Sequence, residues 1–248
     1  MGASGRAHTW NAKDGTSPDY YRGDGTYRYT LSISPAMMKK RIFLRFEAAS
    51  QKAEVKVNGR EVGEHVGGFN AFCFEITPYV HAGENLLEVA VSNRKELNIA
   101  PLEGDFTVFG GIYRPVSLLL LPKACITPLD YASSGVYVSQ QVGERRADLS
   151  VVTKVDNGLK RVKELSVKTD VFDAAGKLVA TSTTSQAVEG QARLDFTNRL
   201  KVDNPMLWDG RKSPYLYRVF VELSRGKEVL DTLSQYVGLR SFRVDAEK

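Results

Sequence analysis

The feature that most restricts this chain is a two-residue alternation of apolar and polar side chains that recurs along it, with almost no helical periodicity. In Tyr27-Arg28-Tyr29-Thr30-Leu31-Ser32-Ile33, apolar residues alternate with polar ones. Ile42, Leu44 and Phe46 do the same between Arg41, Arg45 and Glu47. Successive side chains of a strand point to opposite faces, so such runs lay one face on a core and the other in water.

Turn residues cut these runs to strand length. Val55-Lys56-Val57 leads into Asn58-Gly59, a two-residue hairpin signal, and Glu61-Val62 begins the return. Further runs follow at 69–76, 86–91, 116–121 and 136–142. Pro78, Gly83-Glu84-Asn85 and Gly110-Gly111 read as punctuation between them. Short strands with regular turns predict a sandwich or jelly roll. Pro122-Lys123 reads as a linker, after which a second series covers 147–155, 165–172, 178–184, 192–196, 217–223 and 229–236. Ala175-Gly176-Lys177 and Arg225-Gly226-Lys227 are its hairpin turns. Roughly seven strands in about 120 residues match an immunoglobulin-like sandwich, in which Trp208 and Tyr217 are expected to serve packing.

Composition removes several classes of function. The charge of +5 is spread in short clusters (Lys39-Lys40-Arg41, Arg145-Arg146, Lys160-Arg161) between strands, so no basic stripe for nucleic acid is expected. No run of apolar residues is long enough to cross a membrane as a helix. The two cysteines, Cys73 and Cys125, lie far apart and outside any zinc-type spacing. Cys73, between Phe72 and Phe74, reads as a small buried hydrophobe. Residues 1–7, MGASGRA, have the look of an expression scar and are set aside from the fold. They hide the native N-terminus, so the compartment is left open.

Catalytic constellations are thin. His8, His65 and His81 lie beside the scar, near a hairpin and in a turn, and are expected to be exposed and inert. No nucleophile elbow or phosphate loop is present, and neither a metal ion nor a cofactor is expected. One segment departs from the alternation. NRKELNIAPLEGDFTVFGGIYR, Asn93 to Arg114, is long, poorly periodic and set between strands, a setting in which ordered loops often carry function. It holds Asp105 among Phe106, Val108, Phe109, Ile112 and Tyr113. A carboxylate in apolar surroundings needs a partner. Arg114 would supply one in a structural ion pair, and a substrate hydroxyl would supply one in a binding site.

The residues now in hand resemble family 2 glycoside hydrolases, most like the β-galactosidases. The stretch 44–93, with VNGREVGEHVGGFNAF, ITPYV and AGEN-L-EVAV, is similar to that family's sugar-binding jelly roll. FGGIYRPVSLL (109–119) resembles its G-I-Y/F-R strand, and NPMLWDGRKSPYLYRVFVEL with YVGLRSFRV resembles the end of its immunoglobulin-like second domain. The resemblance runs from His8 to the C-terminus with the motifs in order. It implies an all-β fold: a jelly-roll, galactose-binding-like β-sandwich over 8–122, then an immunoglobulin-like β-sandwich over 123–248.

In that family a third domain, a (β/α)8 barrel, supplies both catalytic glutamates for retaining hydrolysis. The resemblance therefore implies a non-catalytic N-terminal fragment that ends where the barrel would begin, inactive alone and meeting a β-galactoside-type carbohydrate only with the barrel. It implies one site residue. An aspartate nine positions before the arginine of the G-I-Y/F-R motif binds a sugar hydroxyl in the family, and Asp105 stands nine before Arg114. Glu103 and Phe109 would line the same rim, and Arg114 would hold the loop. β-Glucuronidases and β-mannosidases share this front end, with HTWN and YVGLRSF tilting the reading to galactosidase. An aromatic-rich opening strand usual in the family is replaced by the scar, so an exposed edge, weak self-association or lowered stability is expected, and a homo-oligomer is among the readings. A free-standing carbohydrate-binding module using Trp10, Tyr20 and Tyr21 as a platform, and a tandem-sandwich structural protein, are the competing readings.

Overall fold

The computed structural model describes residues 7–8, 22–100, 110–161, 163–242 and 244. Strands in chain order are β1 (Ala7–His8), β2 (Asp24–Ile33), β3 (Arg41–Phe46), β4 (Lys52–Val57), β5 (Arg60–Val66), β6 (Phe72–Glu75), β7 (Gly83–Ser92), β8 (Gly110–Gly111) and β9 (Val116–Leu121). They continue as β10 (Ala124–Ile126), β11 (Val136–Val142), β12 (Arg146–Asn157), β13 (Lys163–Phe172), β14 (Leu178–Val188), β15 (Ala192–Asp203), β16 (Tyr217–Arg225) and β17 (Glu228–Val237). Contacts divide the chain into two compact units, 1–121 with Tyr131–Ser133, and Pro122–Asp130 with 134–248. The all-β class is what the alternation requires.

In the first unit, one sheet runs β2-β7-β4-β5 and a second β6-β3-β9. Leu31, Ile33, Val55, Val57, Leu87, Val89 and Val91 face Ile42, Leu44, Phe46, Phe72 and Ile76 in a continuous core. The Asn58-Gly59 turn takes positive φ at both residues, 52° and 74°, as a hairpin of this length requires. Asn58 also binds the neighbouring strand. Its Oδ1 accepts from Leu86 N–H (2.9 Å) and its Nδ2 donates to Asn85 Oδ1 (2.8 Å). Asn85, 1% exposed, then closes the preceding turn. Its Oδ1 accepts from His81 N–H (2.9 Å), and its Nδ2 donates to the carbonyls of His81 (2.8 Å) and Gly83 (3.1 Å). The Gly83-Glu84-Asn85 punctuation thus contains a buried junction.

Two expectations are corrected here. Gly110-Gly111 is not a plain turn: it is β8, antiparallel to β1, with Ala7 opposite Gly111 and His8 opposite Gly110. Ladder pairing uses only backbone N–H and C=O, so it leaves no trace in side-chain alternation. For the same reason Ala7, set aside with the scar, contributes to a strand.

In the second unit, β12 pairs along its whole length with β15 on one side. Its other edge is shared: β10 takes 155–157 and β11 takes 147–153. The run 136–142 belongs to this second unit. The facing sheet runs β14-β13-β16-β17. Leu165, Val167, Val171, Phe196, Leu200, Val219, Val221 and Leu223 fill the space between. Tyr217 is buried, and its hydroxyl accepts from Met206 N–H at 2.9 Å. Trp208 packs at a corner: a Cβ on Gly238 would stand 2.8 Å from its side chain, and Arg240 stacks over its ring at 4.8 Å. This explains a glycine between Val237 and Leu239.

Candidate functional site

The candidate segment begins after the end of β7 and runs through β8. Asn93, fully buried, fixes its departure. Asn93 N–H donates to Gly23 O (3.1 Å), Gly23 N–H donates to Asn93 Oδ1 (2.7 Å), and Arg22 Nε donates to Asn93 O (3.0 Å). Arg94 then pairs with Asp24 at 2.6 Å. Ile99 is buried, whereas Leu97 is 84% exposed.

The return is fixed as firmly. Ser50 and Gly111 exchange two backbone hydrogen bonds, of 3.0 and 3.1 Å. Ile112 N–H donates to the Tyr27 hydroxyl at 3.3 Å. Burial pushes the Tyr27 hydroxyl pKa up, and the bond from Ile112 opposes this. Tyr113 donates its hydroxyl to Gly68 O. Arg114 Nη1 donates to Phe69 O (3.1 Å), with the guanidinium 5.4 Å from the Tyr113 ring centre. Segments far apart in sequence, 22–24, 50, 68–69, 93 and 110–114, therefore converge on the two roots of one loop.

Asp105, Glu103 and Phe109 lie outside the described residues, as do Trp10, Tyr20 and Tyr21. Arg114 is placed, and its described partner is the Phe69 carbonyl. Asn93, Ser50 and Tyr113 were not singled out in the sequence; the G-I-Y-R motif pointed only to the return side. Among the described residues no group of three or more His, Cys, Asp or Glu could hold a metal ion, and no helix is long and apolar enough to cross a membrane.

His65 corrects another expectation. It is half-buried, with its ring stacked on Phe72 at 4.2 Å, and Phe72 stacks in turn on Phe46 at 4.5 Å. Its neighbour Gly67 belongs to the turn that leads to Gly68 and Phe69. Burial lowers the His65 pKa, and a hydrogen bond with the Gly67 backbone works the other way. The sign follows from linkage: a histidine depressed in the folded state favours folding fully above its unfolded value of about 6.5, and that contribution is lost as pH falls from there towards the folded value. The urea midpoint of the wild-type chain should therefore fall more between pH 7.5 and 5.5 than that of His65→Gln; parallel falls would refute it. Cys73 is half-buried, with its thiol pushed up to about 11 by burial, so it is unreactive at neutral pH.

The chain thus comprises two sandwich units, the first with the segment between Asn93 and Gly110 anchored at both ends. The family model "Glycosyl hydrolases family 2, sugar binding domain" matches residues 11–122, and "Glycosyl hydrolases family 2" matches residues 134–240. A β-glucuronidase of Bacteroides fragilis is 38% identical over 245 residues, covering 97% of this chain and 35% of its own length. A β-galactosidase of Thermoanaerobacter pseudethanolicus is 33% identical over 234 residues, covering 92% of this chain and 30% of its own. The crystal structure of a Bacteroides uniformis β-glucuronidase superposes with a TM-score of 0.89 at 37% identity, covering 96% of this chain and 29% of that one.

This chain belongs to glycoside hydrolase family 2, matching the N-terminal part of its members with a sugar-binding and an immunoglobulin-like domain. It spans about a third of the length of the relatives it matches.

Proposed function

We propose that this chain is the non-catalytic N-terminal part of a retaining β-glycosidase of the β-galactosidase and β-glucuronidase type. It buttresses the catalytic domain and lends one loop to the sugar pocket. The observation that supports this is the double clamp on the loop between Asn93 and Gly110, which carries Asp105 in the sequence. An ionised carboxylate has acceptor positions on both oxygens and orients a sugar through its hydroxyls. The domains are proposed to divide at 122/123.

In the full-length enzyme, Asp105→Ala should lower kcat/KM by about 10- to 100-fold, the loss of one charged hydrogen bond, with the melting temperature unchanged. Activity within twofold of wild type would assign Asp105 to a structural ion pair. Nitrophenyl β-galactoside and β-glucuronide, compared in the same assay, decide the sugar. The 248-residue chain alone should release no nitrophenol from either; turnover that survives repurification would defeat the non-catalytic reading.

A further inference from the structure

The outer face of the sheet β14-β13-β16-β17 carries side chains unusual for a solvated surface. Phe172 of β13 stands opposite Arg218 of β16, which stands opposite Tyr236 of β17. In the next row on the same face Asp170 stands opposite Phe220, which stands opposite Ser234 of β17. Tyr236 is 70% exposed, and Phe172, Phe220 and Arg218 are partly exposed. Three aromatic residues therefore neighbour Arg218 in the ladder on the outer face of this sheet.

Arg218 lies 4.5 Å over the Phe172 ring, and no described carboxylate lies within ion-pair distance of it. The nearby acids are otherwise engaged. Asp173 accepts from Ala175 and Lys177 N–H in its own turn, both at 2.9 Å. Asp170, 7% exposed, pairs with Lys168 at 2.8 Å and accepts from Thr181 Oγ1 at 2.6 Å. Glu222 stands two rows away, opposite Lys168, about 14 Å along the strands from Arg218. Stacking fixes the plane of the guanidinium and leaves its fork open to a carboxylate. Aromatic faces flank it, and Asp170 keeps spare acceptor positions one row on.

We propose that this face binds a uronic-acid-containing glycan: Arg218 pairs with the sugar carboxylate, Tyr236 and Phe172 stack on its C–H faces, and Asp170 and Ser234 meet its hydroxyls. A sugar ring has both an apolar face and a hydroxyl rim, and the charge of Arg218 selects an acidic one. A second copy fits poorly, because a two-fold contact centred on this row would set Arg218 against Arg218.

The test is calorimetric titration of the 248-residue chain with an unsulfated glucuronate-containing tetrasaccharide and with its carboxyl-reduced form. Saturable binding in the millimolar range or tighter is expected for the acidic sugar. Arg218→Gln should weaken it at least about tenfold, and Tyr236→Ala by a similar factor. The carboxyl-reduced sugar should bind as weakly as the acidic one binds Arg218→Gln, and should be indifferent to that substitution. Arg218→Lys, which keeps the charge without the planar fork, should fall between and serves if Arg218→Gln does not fold. Absence of saturable binding, or equal binding by all variants, overturns the proposal. So does a concentration-dependent dimer abolished by Tyr236→Ala with no sugar bound.

Discussion

Replacing Asn85 by leucine is expected to cost the first unit about 3 kcal/mol or more. The side chain has almost no exposure and serves four partners: His81 N–H, the His81 and Gly83 carbonyls, and Asn58 Nδ2. Leucine has a similar volume but would leave these part-buried groups without their hydrogen bonds to the buried side chain, and an unsatisfied group costs about 1–3 kcal/mol where water cannot replace the bond. The damage should spread, because Asn58 holds the β4–β5 turn against β7 through Leu86. Native-state hydrogen exchange gives the readout for this unit alone. Faster exchange in 53–57 and 83–92, with 147–157 unchanged, is expected; unaltered protection in the first two segments would show that the junction is dispensable.

Phe46→Ala is expected to cost about 3–5 kcal/mol, the range for emptying an aromatic site in a packed core. Phe46 is fully buried and stacks on Phe72, which carries His65 on one side and meets Phe74 edge-on at 5.7 Å. The cavity would open beneath Phe72, the residue opposite Phe46 on β6. Phe46→Leu should recover more than half of the loss by refilling volume. Urea unfolding of both variants checks this, and a loss below about 1 kcal/mol for Phe46→Ala would mean that the surrounding side chains collapse into the space.

Much of the fold was legible because it is written in side-chain alternation. The runs at 42–46, 116–121, 136–142 and 217–223 coincide with strands or lie within them, since one face of each meets a core. The run at 192–196 was read too short: β15 extends to Asp203, with the buried polar Asn198 interrupting the apolar face. Asn198 donates to the Val167 carbonyl, a long-range contact no local pattern announces. β10 was missed because three residues after a Pro-Lys pair are too few to show a period. Gly110-Gly111 was missed because it pairs through backbone alone. Asn85 and Asn93 looked like loop polarity, and their burial depends on partners that only the fold assembles. The loop motif was readable around the return at Ile112–Arg114. The clamp at Arg22–Gly23 lies some seventy positions from Asn93 and could not be read.

The divided edge of β12 has a consequence for how this protein behaves when crowded. β10 offers three residues and β11 seven, separated by 127–135, so that flank gives no long row of backbone groups on which a foreign chain could template. On the opposite flank, the β15 carbonyls of Thr197 and Asp195 are taken by side chains of β14, Thr184 at 3.1 Å and Gln186 at 3.1 Å. A sheet interrupted on one side and capped on the other resists growth into fibrils, even though its central strand β12 pairs with β15 over twelve residues and carries three valines.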